Sequence, residues 1–339
     1  GVGVYWLSNQ LAVNEKADWE HYKYIKNIFI VSGEGTILKV YKDGKEQELA
    51  LENPLDTKIE NKVGDIEFIG DKVTKVVIKP DIITGKILSV NEKEVEIEGY
   101  GVLLFDENSR IYQNIGDKVS DGEAKQLIVG YDTAEFVIGQ KKVCAAIIQK
   151  EIQIPDVNIR VVIKTDNFAD YFHKSVKITS DKDFTITIDK EKKEYSAGEK
   201  VDLKGKKRMK VEGNSKIKLL SITRNNVNPS YRGTLEVKKY NGGYVIVNEL
   251  PVEQYLYSVI PSEMPVSYGL EALKVQSVCA RSYACQHILS NSLHEYGAHV
   301  DDSVSYQVYN NTAEGEEARK AVDETKEEII LYNDKVATT

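Results

Sequence analysis

Cysteine is scarce in this chain, basic residues are outnumbered by acidic ones, and no apolar run is long enough to cross a membrane. Each shortage excludes something. Cys144, Cys279 and Cys285 are too few, and odd in number, for a disulfide framework, and they lack the C-x-x-C spacing of a thiolate metal site. A formal net charge of −8 leaves no basic surplus to displace counterions from phosphates, which argues against a nucleic-acid partner. The opening Gly1-Val2-Gly3-Val4-Tyr5-Trp6-Leu7 is too short for a signal peptide and has no basic flank. A start at Gly1 instead of Met reads as a processed or engineered fragment. What remains is ordinary: 339 residues, 41% hydrophobic and 29% charged, without low-complexity bias, enough for two or three domains and a sizeable core.

Along the chain, residues 1–27 mix aromatics and charges at loose helical spacing and read as a tether or short helix. From Ile28 the period becomes two. Ile37–Tyr41 and Glu46–Leu51 flank Asp43-Gly44, a hairpin turn signal. Lys75–Lys79 is a further strand. Gly85–Val90 with Glu94–Glu98 makes a second hairpin, and Leu127–Ile154 adds strands. The expectation for 28–155 is therefore a β-rich barrel or sandwich of unknown role. Pro155-Asp156 marks a boundary, and 156–339 reads as a mixed domain, β-rich over 156–248 and helical over 249–339. The lysine-rich stretch around Lys200–Lys210 offers either an anionic-polymer contact or a solvated hairpin, and the hairpin is favoured because Asp and Glu are mixed through it. Tyr231–Val237 and Tyr244–Asn248 pair around Asn241-Gly242-Gly243. Ala313–Lys326 reads as a helix facing inward through Ala318, Ala321 and Val322, and a terminal hairpin turns at Asn333-Asp334. The fold class is α+β, with a buried central helix in the second part.

Val247–Leu289 organises that second part. Val252–Ile260 has apolar residues at helical spacing after Pro251. A longer helix is expected from near Ser267, with Leu270, Leu273, Ala280, Ala284 and Ile288 on one stripe and Ala272, Val275, Cys279 and Tyr283 on another. Between them Glu263 stands in Pro261-Ser262-Glu263-Met264-Pro265, where two prolines stiffen the backbone. That mounting suits a single acid; a helix-entry carboxylate binding backbone N–H groups is the alternative. Lys274, Gln276 and Arg281 ride on the long helix. A buried guanidinium there requires a carboxylate partner, unless Arg281 caps a carbonyl at the helix rim. A cysteine hydrolase built on Cys279 or Cys285 with His287 is disfavoured, since the two thiols point to different sides of the helix and suit core positions. His173, His294 and His299 show no ligand spacing.

Several ordered motifs in one register give the chain a resemblance. They are Tyr231-Arg232-Gly233, Val247-Asn248-Glu249-Leu250-Pro251, Glu253-Gln254-Tyr255-Leu256, Pro261–Pro265, Glu271–Val278, Ala280-Arg281-Ser282-Tyr283-Ala284 and Asp302-Ser303 followed by Tyr306-Gln307-Val308-Tyr309. Together they resemble the SpoIID/LytB family, the stage II sporulation protein D and amidase-enhancer domains of bacterial cell-wall biology. The resemblance covers about half the chain, from near Ile159. It implies a peptidoglycan lytic transglycosylase in the bacterial cell envelope, outside the cytoplasm, that cleaves the bond between N-acetylmuramic acid and N-acetylglucosamine and leaves 1,6-anhydromuramic ends. Glu263 is then the catalytic acid and Arg281 a supporting residue, and Gln276, Tyr283, Tyr306 and Gln307 are assigned to substrate binding. Some members carry a Cys-x-x-x-His-Cys zinc pattern; Asp301, Ser305 and Tyr306 stand at the corresponding positions, so neither a metal nor another cofactor is expected. The family usually continues with a Ser/Thr/Gly-rich segment, so this chain is expected to be incomplete at its carboxyl end and to meet the membrane only through a segment it does not contain. The expected partners are glycan strands and a cell-wall amidase. The competing reading is a binding module that grips glycan or stimulates an amidase without cutting, to which the 20 tyrosines against 7 phenylalanines also suit.

Overall fold

The computed structural model describes residues 22–116 and 118–337. Strands dominate, arranged in several sheets with a few helices, so the fold is α+β. The chain divides into two units. The first takes the described residues up to Ile83 together with Leu104–Glu123 and Ala134–Gln149; the second takes Thr84–Leu103, Ala124–Thr133 and everything from Lys150. No described helix is long and apolar enough to cross a membrane.

The first unit contains a closed barrel of five strands, Tyr22–Glu34, Ile37–Lys42, Lys45–Leu51, Ile59–Ile69 and Lys72–Ile78. Tyr22–Asn27, expected as tether or helix, begin its first strand; residues 1–21 lie outside the described residues. Asp43 and Gly44 both have positive φ, the geometry that a two-residue hairpin turn demands. Alternation does the rest. Ile28, Ile30, Leu38, Val40, Ile66 and Phe68 form one buried cluster, whereas Phe29, Tyr41 and Val63 join a second with Tyr112, Val137 and Ile147.

The second unit is built on a seven-stranded sheet in the order Glu191–Tyr195, Phe184–Ile188, Met209–Gly213, Thr234–Tyr240, Gly243–Pro251, Asn158–Ile163 and Val300–Asp301. Only the last pairing is parallel. Three helices follow the sheet: α1 (Val252–Glu263), α2 (Leu270–Ser290) and α3 (Glu316–Glu324). Their inward faces, with Leu256, Val259, Leu273, Ala280, Ala284, Ala318, Ala321 and Val322, share one core with the sheet. At about 25 cal/mol per Å² such burial is what holds short helices in place.

Thr84–Leu103 belong to this unit through a buried ionic network. Arg160 is fully buried and pairs with Glu236 at 2.8 Å and with Glu249. Arg208 joins Glu236 to Glu96 at 2.8 Å each, Lys238 reaches Glu96 at 2.6 Å, and Lys86 reaches Glu249 at 2.6 Å. A buried carboxylate without such partners would be costly, so these pairs fix which segments lie together. Beside them His299 is buried: Nδ1 accepts from the Arg160 N–H and Nε2 donates to the Val129 carbonyl. Burial holds its pKa down at about 3, so it is neutral and structural.

Candidate functional site

Glu263 is the last residue of α1, not the entry to the helix after it. Pro261 sits inside the last turn and Ser262 Oγ donates to the Ser258 carbonyl at 2.7 Å. Pro265 drives Met264 into extended geometry, and the helix stops there. Val266–Tyr268 then make a short 3-10 turn. The helix expected from near Ser267 starts instead at Leu270, after Gly269 at φ 88°, a value that glycine adopts without strain. The Glu263 side chain is exposed. Its Oε1 accepts the Val308 N–H at 2.5 Å, the one hydrogen bond to this carboxylate among the described residues.

The Glu263 charge acts on Tyr283 of α2, and Tyr283 belongs to a group of aromatic side chains drawn from two elements. Tyr283 on α2 lies 4.3 Å, ring to ring, from His287, and His287 lies 5.1 Å and edge-on from Tyr306. All three are half-buried. Burial, with the Asp301 and Glu263 charges after it, pushes the Tyr283 phenol pKa upward. Burial lowers that of His287, whose buried Nδ1 has no hydrogen-bond partner. Gln276, also half-buried, lies seven residues before Tyr283 and hence on the same face of α2. That face belongs to the second apolar stripe of the helix, which is not sealed: Val275 is 66% exposed, while Ala272, Cys279 and Tyr283 are half-buried. The first stripe takes up the core.

Gln307 and Arg281 are placed differently. Gln307 is buried, its Oε1 accepting from the Tyr255 hydroxyl at 3.1 Å and its Nε2 donating to the Ala280 carbonyl at 3.4 Å. Both ends of the amide are occupied, so it works as a strut under the segment that presents Tyr306 and Val308. Arg281 is fully buried and grips Glu253, in the first turn of α1, through Nε and Nη2 at 2.8 Å each. It also donates to the carbonyls of Ser277, Glu328 and Val322. Glu253 precedes Glu263 by ten residues, roughly 15 Å along the helix axis. The guanidinium therefore lies at the other end of α1 and is not brought to Glu263.

The adjoining acids are committed. Asp301 accepts from the Ser303 N–H and hydroxyl through Oδ1 and from the Tyr171 hydroxyl through Oδ2. Asp302 accepts from the Lys164 N–H and pairs with Arg224 at 2.7 Å. Burial outweighs Arg224 there and raises the Asp302 pKa to about 6. Among the described residues no cluster of three His, Cys, Asp or Glu side chains is arranged to hold a metal ion. His287 and the Val308 N–H are members of the site that sequence reasoning did not assign to it; the four-residue spacing of Tyr283 and His287 was the available signal.

A family model described as SpoIID, stage II sporulation protein, matches residues 240–332, which include α1, α2, α3 and the segment between them. An uncharacterized protein of Brachyspira hyodysenteriae is 42% identical over 110 residues, 32% of this chain and 30% of that protein. The amidase enhancer of Bacillus subtilis is 40% identical over 83 residues, 24% of this chain and 11% of its own length. Stage II sporulation protein D of Bacillus subtilis is 39% identical over 95 residues, covering 27% of each chain. The match thus spans less than a third of each of these relatives. No solved structure matches the chain. Residues 240–332, which hold Glu263 at the end of α1 together with Tyr283, His287 and Tyr306, are thus similar to the SpoIID family, and the chain also carries a likeness to stage II sporulation protein D and the amidase enhancer.

Proposed function

We propose that this chain acts on the bacterial cell wall as a lytic transglycosylase, with Glu263 as the single general acid and base. The observation that carries the reading is the Glu263 carboxylate itself: exposed, held by one backbone N–H at Oε1, and close enough for its charge to act on Tyr283, the first of three half-buried aromatic rings suited to sugar faces. In the forward step Glu263 gives its proton to the leaving glycosidic oxygen as the bond to the muramyl anomeric carbon breaks. The muramyl 6-hydroxyl then bonds to that carbon and its proton returns to Glu263. No water is activated, so no second carboxylate is required, in contrast to the paired acids of ordinary glycosidases. Asp301 and Asp302, with their oxygens bound by Ser303, Tyr171, Lys164 and Arg224, accord with a one-acid reaction.

In this reading Tyr283, Tyr306 and Gln276 contact the glycan, Gln307 supports Tyr306 from below, and Arg281 is a positioning residue that ties α2 to α1 through Glu253. The test is Glu263→Gln on purified glycan strands, with 1,6-anhydromuramyl ends counted by mass spectrometry. Loss of product supports the acid, and undiminished product removes it.

One further observation favours a second reading. Val266, Tyr268 and Val275 are large, exposed and grouped just after Glu263, and one relative is named an amidase enhancer. A non-cutting domain that holds wall glycan or engages an amidase would use such a surface. Sedimentation with insoluble peptidoglycan, retained in Glu263→Gln while anhydro ends never appear with wild type, would select it.

A further inference from the structure

Beside α1 and α3 lies a cleft of ≈ 400 Å³ whose lining includes Lys216, Arg224, Arg232 and Arg319 against one acid, Glu314. Burial would raise the Glu314 pKa, but Arg232 and Lys216 hold it down at about 2, so this acid is ionised and shared between two cations. Arg224 is committed through its terminal nitrogens, Nη1 to the Thr165 and Thr223 carbonyls and Nη2 to the Lys164 carbonyl and Asp302, whereas donors remain on Arg232 and Arg319. Arg232 spends Nε and Nη2 on Glu314. Arg224 is 3% exposed and its buried Nε has no hydrogen-bond partner. Arg319 is exposed, and among the described residues its guanidinium makes no ion pair. A chain with a net charge of −8 has here gathered a local excess of cations around a polar hollow.

The cleft is coupled to Glu263 by one continuous segment. Val308 donates to Glu263, Asn310 N–H donates to the Ser258 carbonyl at 3.4 Å, and Thr312 N–H donates to Ser262 Oγ at 3.1 Å. Asn310 lines the cleft and, two residues on, lies no more than about 8 Å from Val308 along the chain.

We infer that this cleft is an oxyanion subsite that takes a carboxylate carried by the glycan bound at Glu263. The inference rests on the reading of Glu263 as a glycan site. Two sources present that chemistry: the lactyl carboxylate of a bare N-acetylmuramic acid, or the carboxylates of an attached peptide. Either would be fixed by charge-assisted hydrogen bonds to guanidinium groups, the geometry in which arginine exceeds lysine. The subsite sets register along the strand, because N-acetylglucosamine has no carboxylate to offer.

The test is binding, measured by calorimetry with N-acetylmuramic acid, muramyl dipeptide and N-acetylglucosamine as separate probes, on wild type, Arg319→Glu, Arg319→Ala and Glu263→Gln. Arg224 is left intact, since its loss would strip buried Asp302 of its partner. The expected result is saturable binding of at least one carboxylated probe, none of N-acetylglucosamine, and a tenfold or greater loss in Arg319→Glu that weakens with added salt. Preference for N-acetylmuramic acid assigns the lactyl group, and preference for muramyl dipeptide assigns the peptide. Arg319→Ala, which adds no like charge, reads the same loss should Arg319→Glu unfold. Equal binding of N-acetylglucosamine, or no loss in either Arg319 variant, overturns the subsite. Glu263→Gln keeps its binding in this scheme, so failure of the catalytic reading shows in the product assay and failure of the subsite in calorimetry.

Discussion

Arg281 and Glu253 form a two-pronged ion pair, 2.8 Å on each arm, with the guanidinium wholly out of solvent and the carboxylate in the first turn of α1. The pair joins α2 to α1 at the end of α1 opposite Glu263. Glu253→Gln keeps the shape but leaves a buried charge without its counterion, and costs about 3 kcal/mol of stability. Denaturant unfolding would measure it. A variant as stable as wild type would mean that the carbonyls of Ser277, Glu328 and Val322 suffice for Arg281.

Glu263→Gln is expected to do the reverse. The amide oxygen still accepts the Val308 N–H, so the melting temperature stays near that of wild type, while anhydro product falls by about 10²–10⁴-fold, the range of a lost general acid. A large drop in melting temperature would class Glu263 as a structural carboxylate.

Stability should respond to pH through groups of opposite sign, of which Glu96 and Asp302 are one example each. Burial raises the Glu96 carboxyl, but Arg208 and Lys238 overcome it and bring it down from 4.5 to about 2. Its contribution is present above pH 4.5 and is lost as pH falls from there toward 2, because the unfolded chain then binds the extra proton. Asp302, raised from 3.8 to about 6, runs the other way and removes stability as pH rises through that interval. Unfolding free energies at closely spaced pH values should show an acid limb below 4.5 that flattens in Glu96→Gln. An unchanged limb would mean that Glu96 is not ionised in the native network.

Gly233 has φ 71°, and a Cβ there would run into the Glu249 carbonyl. Gly233→Ala combines a left-handed backbone with that collision, and about 2 kcal/mol or more of destabilisation follows. Equal stability of the alanine variant, by thermal unfolding, would refute the close approach.

Cys285 is fully buried, and burial pushes its thiol pKa to about 12. Iodoacetamide at pH 8 is therefore expected to leave Cys285 unmodified in the native protein and to label it once denaturant is added. Rapid native labelling would revive the cysteine chemistry that α2 argues against.

Much of the local structure was legible in residue order because its causes are local. Asp43-Gly44 and Asn333-Asp334 mark tight turns, Pro265 ends α1, and Ala318, Ala321 and Val322 give α3 its inward face. Glu263 stood out for the same reason, through its flanking prolines. Arg281 did not resolve: periodicity places it on α2 but leaves its direction open, and its partner is 28 positions away. The helix expected to start at Ser267 starts at Leu270, because Pro265 and Gly269 impose a turn first. The second stripe of α2, apolar in sequence, lies partly open, since among the described residues no element covers Val275.

By itself the sequence determined the α+β alternation of periods, the turns and the mounting of one acid, since backbone dihedral preferences and side-chain spacing act within a few residues. Tertiary structure alone decided that Tyr306 meets His287, that Val308 holds Glu263, and that Glu96 pairs with Arg208 across 112 positions. Those contacts arise when buried charges and half-buried rings must find partners in a packed interior, and the partners that satisfy them lie wherever the sheet and helices bring distant segments together.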